Sequence, residues 1–220
     1  MKIAILGATG PSGQELVKLA LQEGYDVVAV VRNPDKFAQD ILKHEKFTAK
    51  TANIFSADSL YEAFDCGVEA VVSCLGVASL RPPFTTITLY SESGRAIVAA
   101  MKRRGLRRFV CMTSWCTKYE KNNPFMLEWV IKPLFIGRHV DDCARLEDLL
   151  GKEKDDIDYT TVRPPQLTNG PASGQDIKAV DSQFVPEGRQ KISRADVVRF
   201  MLLNCLQKQE WMGKCVAIAV

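Results

Sequence analysis

Short runs of consecutive apolar residues alternate along this chain with segments whose apolar positions recur at helical spacing. Lys2–Leu6 is the first such run, and it stops at a glycine cluster, which predicts a buried strand. Leu16, Leu19 and Ala20 then share one helical face, with Val17 and Leu21 beside them. Residues 27–31 form a second all-apolar run, ending at Arg32-Asn33-Pro34. Strands read as unbroken apolar runs when helices cover both their faces, as in parallel sheets. The rhythm continues with a weaker strand over 47–52, a helix opened by Asp58, a strand over 70–75, and a long helix carrying Gly94, Ile97, Val98 and Met101. Further strands are expected over 108–113, 158–162 and 216–220, and a helix over 140–150. Ser193-Arg194-Ala195-Asp196 has the capping-box pattern and should open a helix carrying Val197, Val198, Met201, Leu202 and Cys205. The alternation predicts an α/β fold, a single-domain Rossmann-type doubly wound parallel sheet.

Two segments break the rhythm, residues 115–138 and 164–191. Both follow the C-terminal ends of strands, the side on which open α/β sheets bind ligands. Rich in Pro, Gly and aromatics, they are expected to act as lids or loops within one domain over 1–220. Composition changes this picture little. A net charge of +3 gives no reason to expect nucleic acid, whose footprint is a concentrated basic stripe. The one dense basic run, 102–108, joins a helix end to a strand, where cations suit the helix dipole. Seven cysteines show no CxxC pair and no zinc spacing, so reduced thiols, a cytoplasmic location and no metal site are expected. No apolar run approaches the roughly 18 residues of a spanning helix, and no secretory leader is legible, so no membrane partner is expected.

The turn after the first strand carries the chemistry. Gly7-Ala8-Thr9-Gly10-Pro11-Ser12-Gly13 lies between that strand and an amphipathic helix. Such a junction leaves unpaired N–H groups and the positive dipole end facing a ligand. Glycines there permit the tight turn, close approach to a pyrophosphate, and helix packing against the strand. The spacing GxxGxxG, with Thr9, Pro11 and Ser12 between the glycines, predicts a dinucleotide site. The second strand then selects the cofactor. An Asp or Glu at its end would bind a ribose 2′-hydroxyl, but Arg32 stands there, followed by Asn33 and, one turn on, Lys36. A guanidinium meets a 2′-phosphate bidentately, so NADP(H) is expected.

Other strand ends supply candidates to line the cofactor: Asn53, Ile54, Cys74, Leu75, Gly76 and Thr113. Asn53 is placed either to bond the adenine or to close a turn. Ser114, at the fifth strand's end, is the candidate catalytic hydroxyl near the nicotinamide; its alternative role is to cap the strand. Proton-transfer residues are scarce. Of two histidines, His44 lies in a charged stretch and should face solvent, while His139 opens the helix after the first long segment. No tyrosine has lysine four residues on, and Asp141-Asp142 reads as an acidic helix start rather than a catalytic pair. Ketone reduction leaves an alkoxide that needs a nearby acid. Flavins and tetrapyrroles spread the arriving electrons over a π-system, so a planar acceptor fits a site poor in acids. Trp115, Phe125, Trp129, Phe135 and Phe84 either wall such a ligand or pack in a core.

An ordered set of motifs adds a resemblance. It comprises Ile3 to Gly10, Val30-Val31-Arg32, Leu75-Gly76, Gly94 to Lys102, Cys111-Met112-Thr113-Ser114, Asp141-Asp142, Arg163-Pro164-Pro165, and Ile192 to Asp196 with Phe200-Met201-Leu202. Together they resemble the atypical short-chain dehydrogenases with an NmrA-like NAD(P)H-binding core, particularly the NADPH-dependent flavin and biliverdin-IXβ reductase branch. The resemblance implies a monomer that passes hydride from NADPH to FMN, riboflavin or biliverdin. It also implies that Arg32 and Pro164 border the cofactor, that Ser114 lies in the active site, and that Arg81 clamps the cofactor. This chain departs from that branch in carrying Gln166 and Cys143 at two positions where the branch has histidine. Gln166 and Trp115 are therefore the residues expected beside the substrate. A reductase of another small acceptor and a non-catalytic NADP(H)-binding regulator of NmrA type are the alternatives.

Overall fold

The computed structural model describes residues 1–64, 67–77 and 86–220. Its centre is an eight-stranded sheet in the order β3-β2-β1-β4-β5-β6-β10-β8. The first six are β1 (Lys2–Leu6), β2 (Asp26–Val31), β3 (Phe47–Thr51), β4 (Val68–Ser73), β5 (Arg108–Met112) and β6 (Asp158–Arg163). All pair in parallel, as does β10 (Lys214–Ala219) with β6. Side chains alternate between faces. Ile3 and Ile5 enter one core, while Ala4 and Leu6 enter the other. Both sets are fully buried, which explains why β1 reads as an unbroken apolar run.

Helix α1 (Pro11–Gln22) packs on one face beside α6 (Arg194–Arg199) and its π-helical continuation Phe200–Gln207. On the other face lie α3 (Ala57–Ala63), α4 (Leu89–Arg104) and α5 (Gly137–Lys152), with α4 contacting both neighbours. A short α2 (Gln39–Leu42) precedes β3. Strand order reverses between β1 and β4, so a crevice opens above their C-terminal ends. Among the described residues, no helix is long and apolar enough to cross a membrane.

The two segments outside the βα rhythm are more ordered than loops. Residues 127–136 form a π-helical stretch, Leu127–Ile136, with Pro133 inside it. The second segment contributes β7 (Gln166–Thr168), β8 (Lys178–Val180) and leads to β9 (Lys191–Ser193). Strand β8 closes the main sheet antiparallel to β10, and β7 pairs with β9. Three-residue strands carry too few positions for a period-2 signal, which is why they were unreadable in the sequence. The capping box is half as expected. Ser193 Oγ accepts the Asp196 N–H at 3.0 Å, but the Asp196 carboxylate takes the Ser173 N–H, also at 3.0 Å. That bond ties the 164–191 segment to the start of α6.

The basic run 102–108 faces the protein's own carboxylates and rings. Lys102 pairs with Glu153 and Asp156, Arg103 with Asp58, and Arg107 with Asp158. Arg104 stacks 3.7 Å above the Tyr61 ring. Arg108 is buried and donates to the backbone of Asp158 and Cys205 and to Thr160 Oγ1.

Candidate active site

The glycine turn fits tightly against the strand ends. Gly7 sits at φ +72°, and a Cβ there would lie 2.6 Å from the Cys74 carbonyl oxygen. A Cβ on Gly13 would run into the Gly7 carbonyl, so both positions exclude any side chain. Gly10 donates to Gly7 O at 2.9 Å and stands at the N-cap of α1, whose first intrahelical bond is Gln14 N to Gly10 O. Pro11 has no N–H, which leaves those of Ser12 and Gly13 without intrahelical partners. No side chain caps this end and no acid stands in its first turn. The other helix on the crevice side differs: α4 is capped by a carboxylate, described below. A pyrophosphate at α1 would supply the missing acceptors. Backbone donors, excluded Cβ positions and positive dipole end therefore fit a dinucleotide.

Arg32 projects from the end of β2 and is exposed, with no ion-pair partner among the described residues. Asn33 Oδ1 accepts the Asp35 N–H at 2.8 Å and so caps the turn Pro34–Lys36. Asn53 does likewise. Its Oδ1 accepts from Phe55 N at 3.0 Å, and its own N–H reaches Ser59 Oγ at 2.9 Å. The turn-closing role describes its carbonyl. Ile54 is half-buried beside it. Cys74 is buried against the glycine turn, its N–H donating to Leu6 O, and burial pushes its thiol up to about 12. Leu75 is half-buried and Gly76 exposed at the crevice. Arg81 and Phe84 lie outside the described residues.

At the end of β5, Thr113 and Ser114 part company. Thr113 is buried, and its hydroxyl donates to Glu147 Oε1 at 2.8 Å. Glu147 also accepts Thr117 Oγ1 at 2.7 Å and forms a forked pair with Arg163, at 3.0 Å from Nε and 2.7 Å from Nη2. One buried carboxylate thus holds both ends of the turn 113–117, with β6 behind it. Thr113 therefore supports the site rather than facing a ligand. Ser114 is half-buried, and its hydroxyl has no hydrogen-bond partner among the described residues, which leaves it open to one.

Trp115 departs from the expected substrate wall. It is buried with Val185, Ala217 and Ala219, and its indole N–H donates to Ile218 O at 3.2 Å. An indole satisfied in this way is core, the alternative role read from the sequence. Pro164 is also buried, its carbonyl accepting the Trp115 N–H at 3.0 Å. Gln166 is exposed in β7, paired with Lys191. Phe125, Trp129 and Phe135 are exposed on and beside the π-helical stretch.

A pair of residues that pattern reading had not joined meets at the other side of the crevice. The Tyr90 hydroxyl lies 3.3 Å from His139 Nδ1, with the rings edge to face at 5.0 Å. Burial pushes the Tyr90 phenol above its ordinary range and His139 below 6.5. Asp142 fixes the pair's elements. Its carboxylate accepts from Tyr90 N at 2.8 Å and from Ser91 Oγ at 2.5 Å, capping α4 from the neighbouring helix. Asp142 is thus a structural cap, buried rather than lying on an exposed first turn. The partners are 49 residues apart in sequence, so no local spacing could reveal them. Cys143 is buried beneath, its thiol far above the ordinary range.

Comparison with known proteins places this geometry. The chain is 26% identical over 212 residues to the uncharacterized sugar epimerase YhfK of Bacillus subtilis, covering 94% of this chain and 89% of that one. It is 23% identical to the divinyl chlorophyllide a 8-vinyl-reductase of Arabidopsis thaliana, covering 99% of this chain and 53% of that longer protein. Among solved structures, a short-chain dehydrogenase/reductase from Veillonella parvula in complex with NADP superposes with a TM-score of 0.78 at 21% identity, covering 100% of this chain and 94% of that one. The oxidoreductase ylbE of Lactococcus lactis superposes with a TM-score of 0.78 at 17% identity, covering 100% and 90%. At these identities the superpositions establish the Rossmann-type fold. A family profile described as NAD(P)H-binding matches residues 7–208, from the first glycine of the turn to the end of the last helix, and the chain belongs to that family.

Proposed function

We propose that this protein is an NADPH-dependent reductase that delivers hydride to a flavin or a biliverdin-type tetrapyrrole, acting as a cytosolic monomer. The observation that carries the cofactor choice is Arg32, exposed at the end of β2 with no ion-pair partner among the described residues, where a carboxylate would repel a 2′-phosphate. NADPH, when bound, supplies the electron pair. The chain's own residues hold its phosphates at Ser12 and Gly13 N–H, grip the 2′-phosphate through Arg32, and offer Ser114 Oγ on the β5 side of the crevice.

The choice of acceptor rests on what the crevice lacks. Cys74 and Cys143 are buried, protonated thiols, and burial disfavours a charged His139. Glu147 and Arg163 neutralise each other beneath the β5 turn. Among the described residues few groups remain that can hand a proton to an alkoxide, which suits a conjugated acceptor that takes its proton from water. The Arabidopsis relative whose name makes it a reductase of a tetrapyrrole-derived pigment supports the same acceptor class. The test is NADPH consumption with FMN, riboflavin, biliverdin isomers and quinones. Turnover of a flavin or tetrapyrrole is expected; stoichiometric NADPH binding without turnover of any acceptor would refute the reading.

A second reading, an NADP(H)-binding regulator, draws on one feature. Phe125, Met126, Trp129, Leu134 and Phe135 all stand exposed within eleven residues, as a partner's docking face would. Relatives named as photosystem II assembly factors are compatible with it. The same turnover panel decides between the two.

A further inference from the structure

The imidazole of His139 has one nitrogen paired with Tyr90 and one without a partner among the described residues. The Tyr90 phenol lies 3.3 Å from His139 Nδ1, within reach to donate its proton to that nitrogen. A nitrogen that accepts a hydrogen bond carries no proton, and the proton of a neutral imidazole must then sit on Nε2. Nε2 has no partner among the described residues. His139 lies in the first turn of α5, where burial disfavours an imidazolium. The titratable groups around it are Tyr90 on α4, and Asp142 and Cys143 on its own helix, with Arg145 paired to Asp142.

The location is the β4–β5 half of the crevice, where a dinucleotide held by the glycine turn and Arg32 would carry its nicotinamide. Arg32, at the end of β2, marks the adenosine half; β4 and β5 lie across the switch point from it. Tyr90 touches the backbone that leaves β4. A Cβ on Gly76 would stand 3.8 Å from its hydroxyl. The Tyr90–His139 pair is therefore anchored to the strand exit that borders the cofactor and is held there by the Asp142 cap.

We propose that His139 is a catalytic residue whose neutral Nε2–H hydrogen-bonds the carbonyl oxygen or ring nitrogen of the acceptor that gains charge on reduction, and that Tyr90 is the positioning residue that fixes this tautomer. The proposal rests on the reductase reading. The acceptor takes hydride from C4 of NADPH, leaving NADP⁺ and an acceptor anion; that anion then takes a proton from water. His139 keeps its proton throughout, so charge and atoms balance without an imidazolate. A preorganised donor aimed at developing negative charge contributes most where water is excluded.

Two variants and one spectrum test it. Nitrogen-15 spectra of the imidazoles should show His139 with an unprotonated Nδ1 and a protonated Nε2, and Tyr90→Phe, which keeps the ring, should mix the tautomers. His139→Ala should lower kcat with the best acceptor on the order of 100-fold, with NADPH affinity kept. His139→Gln, which restores an N–H near the Nε2 position, should recover part of that loss. Tyr90→Phe should lower kcat by a smaller factor with NADPH affinity likewise intact. A protonated Nδ1, or a kcat unchanged in His139→Ala, overturns the proposal while leaving the reductase reading standing. Absence of turnover in the wild-type protein removes both.

Discussion

Arg32 and Gly13 hold the sharpest residue-scale consequences, because one substitution removes the charge of the first and another fills the clearance kept by the second. A charged hydrogen bond to phosphate is worth about 1.5–3 kcal/mol, so Arg32→Asp should weaken NADPH roughly tenfold to a hundredfold, and less so NADH. Equal use of the two cofactors by the wild-type protein would undo the argument from Arg32. Gly13→Ala places a methyl against the Gly7 carbonyl and should abolish cofactor binding while the rest of the core, to which Gly13 contributes no side chain, still folds. Titration and circular dichroism on the same sample check both halves. His139 adds a pH effect. Burial keeps its pKa below 6.5 in the folded state. The unfolded chain therefore takes up a proton below about pH 6.5 that the folded chain refuses, and stability falls as pH drops toward the folded value. Urea unfolding at about pH 7.5 and about pH 5.5 should show a smaller acid loss in His139→Gln than in the wild type. These residues were legible to different degrees. Gly7, Gly10, Gly13 and Arg32 announce themselves through position relative to a strand. Trp115 and Asn53 did not, because only tertiary contacts decide whether an indole faces a ligand or Ile218 O, and whether an amide faces adenine or Phe55 N–H.

Elements that carry the chemistry are joined by two buried carboxylates. Glu147, from α5, holds Thr113 and Thr117 on either side of Ser114 and pairs with Arg163 of β6. Breaking such a buried pair by removing one partner typically costs about 3–5 kcal/mol. Glu147→Gln and Arg163→Met should each destabilise the fold on this scale, and the double substitution should cost less than the sum of the two. Additive losses in denaturant unfolding would show that the two groups are not coupled. The strands and the principal helices followed from apolar runs and helical spacing, since burial on both faces imposes that pattern. Boundaries shifted where polar residues lie inside elements: β4 runs over Val68–Ser73 and includes Glu69, while α4 begins at Leu89, where its cap comes from Asp142 of another helix. Strands β7, β8 and β9 and the π-helical stretch were illegible. The former are too short for a period, and a π-helix has no sequence rule of its own.

The whole molecule couples cofactor binding to stability, because the glycine turn is packed between β1, β4 and α1 and exists only in the folded chain. At a free NADPH concentration of 100 times Kd, the folded state should gain about 2.7 kcal/mol. For a domain of this size that corresponds to a rise in Tm of roughly 5–10 °C. Gly13→Ala should show no such rise. The family-level resemblance read from scattered motifs holds, since the NAD(P)H-binding match spans residues 7–208. Contacts between separate elements, such as Tyr90 on α4 with His139 on α5, left no local pattern to read. The most direct test of the central claim is a single-turnover experiment. The protein is loaded with NADPH or its C4-deuterated form and mixed with FMN or biliverdin. The account predicts one acceptor reduced per NADPH oxidised, more slowly with the deuterated cofactor. Bound NADPH that stays unoxidised in the presence of both acceptors would contradict it.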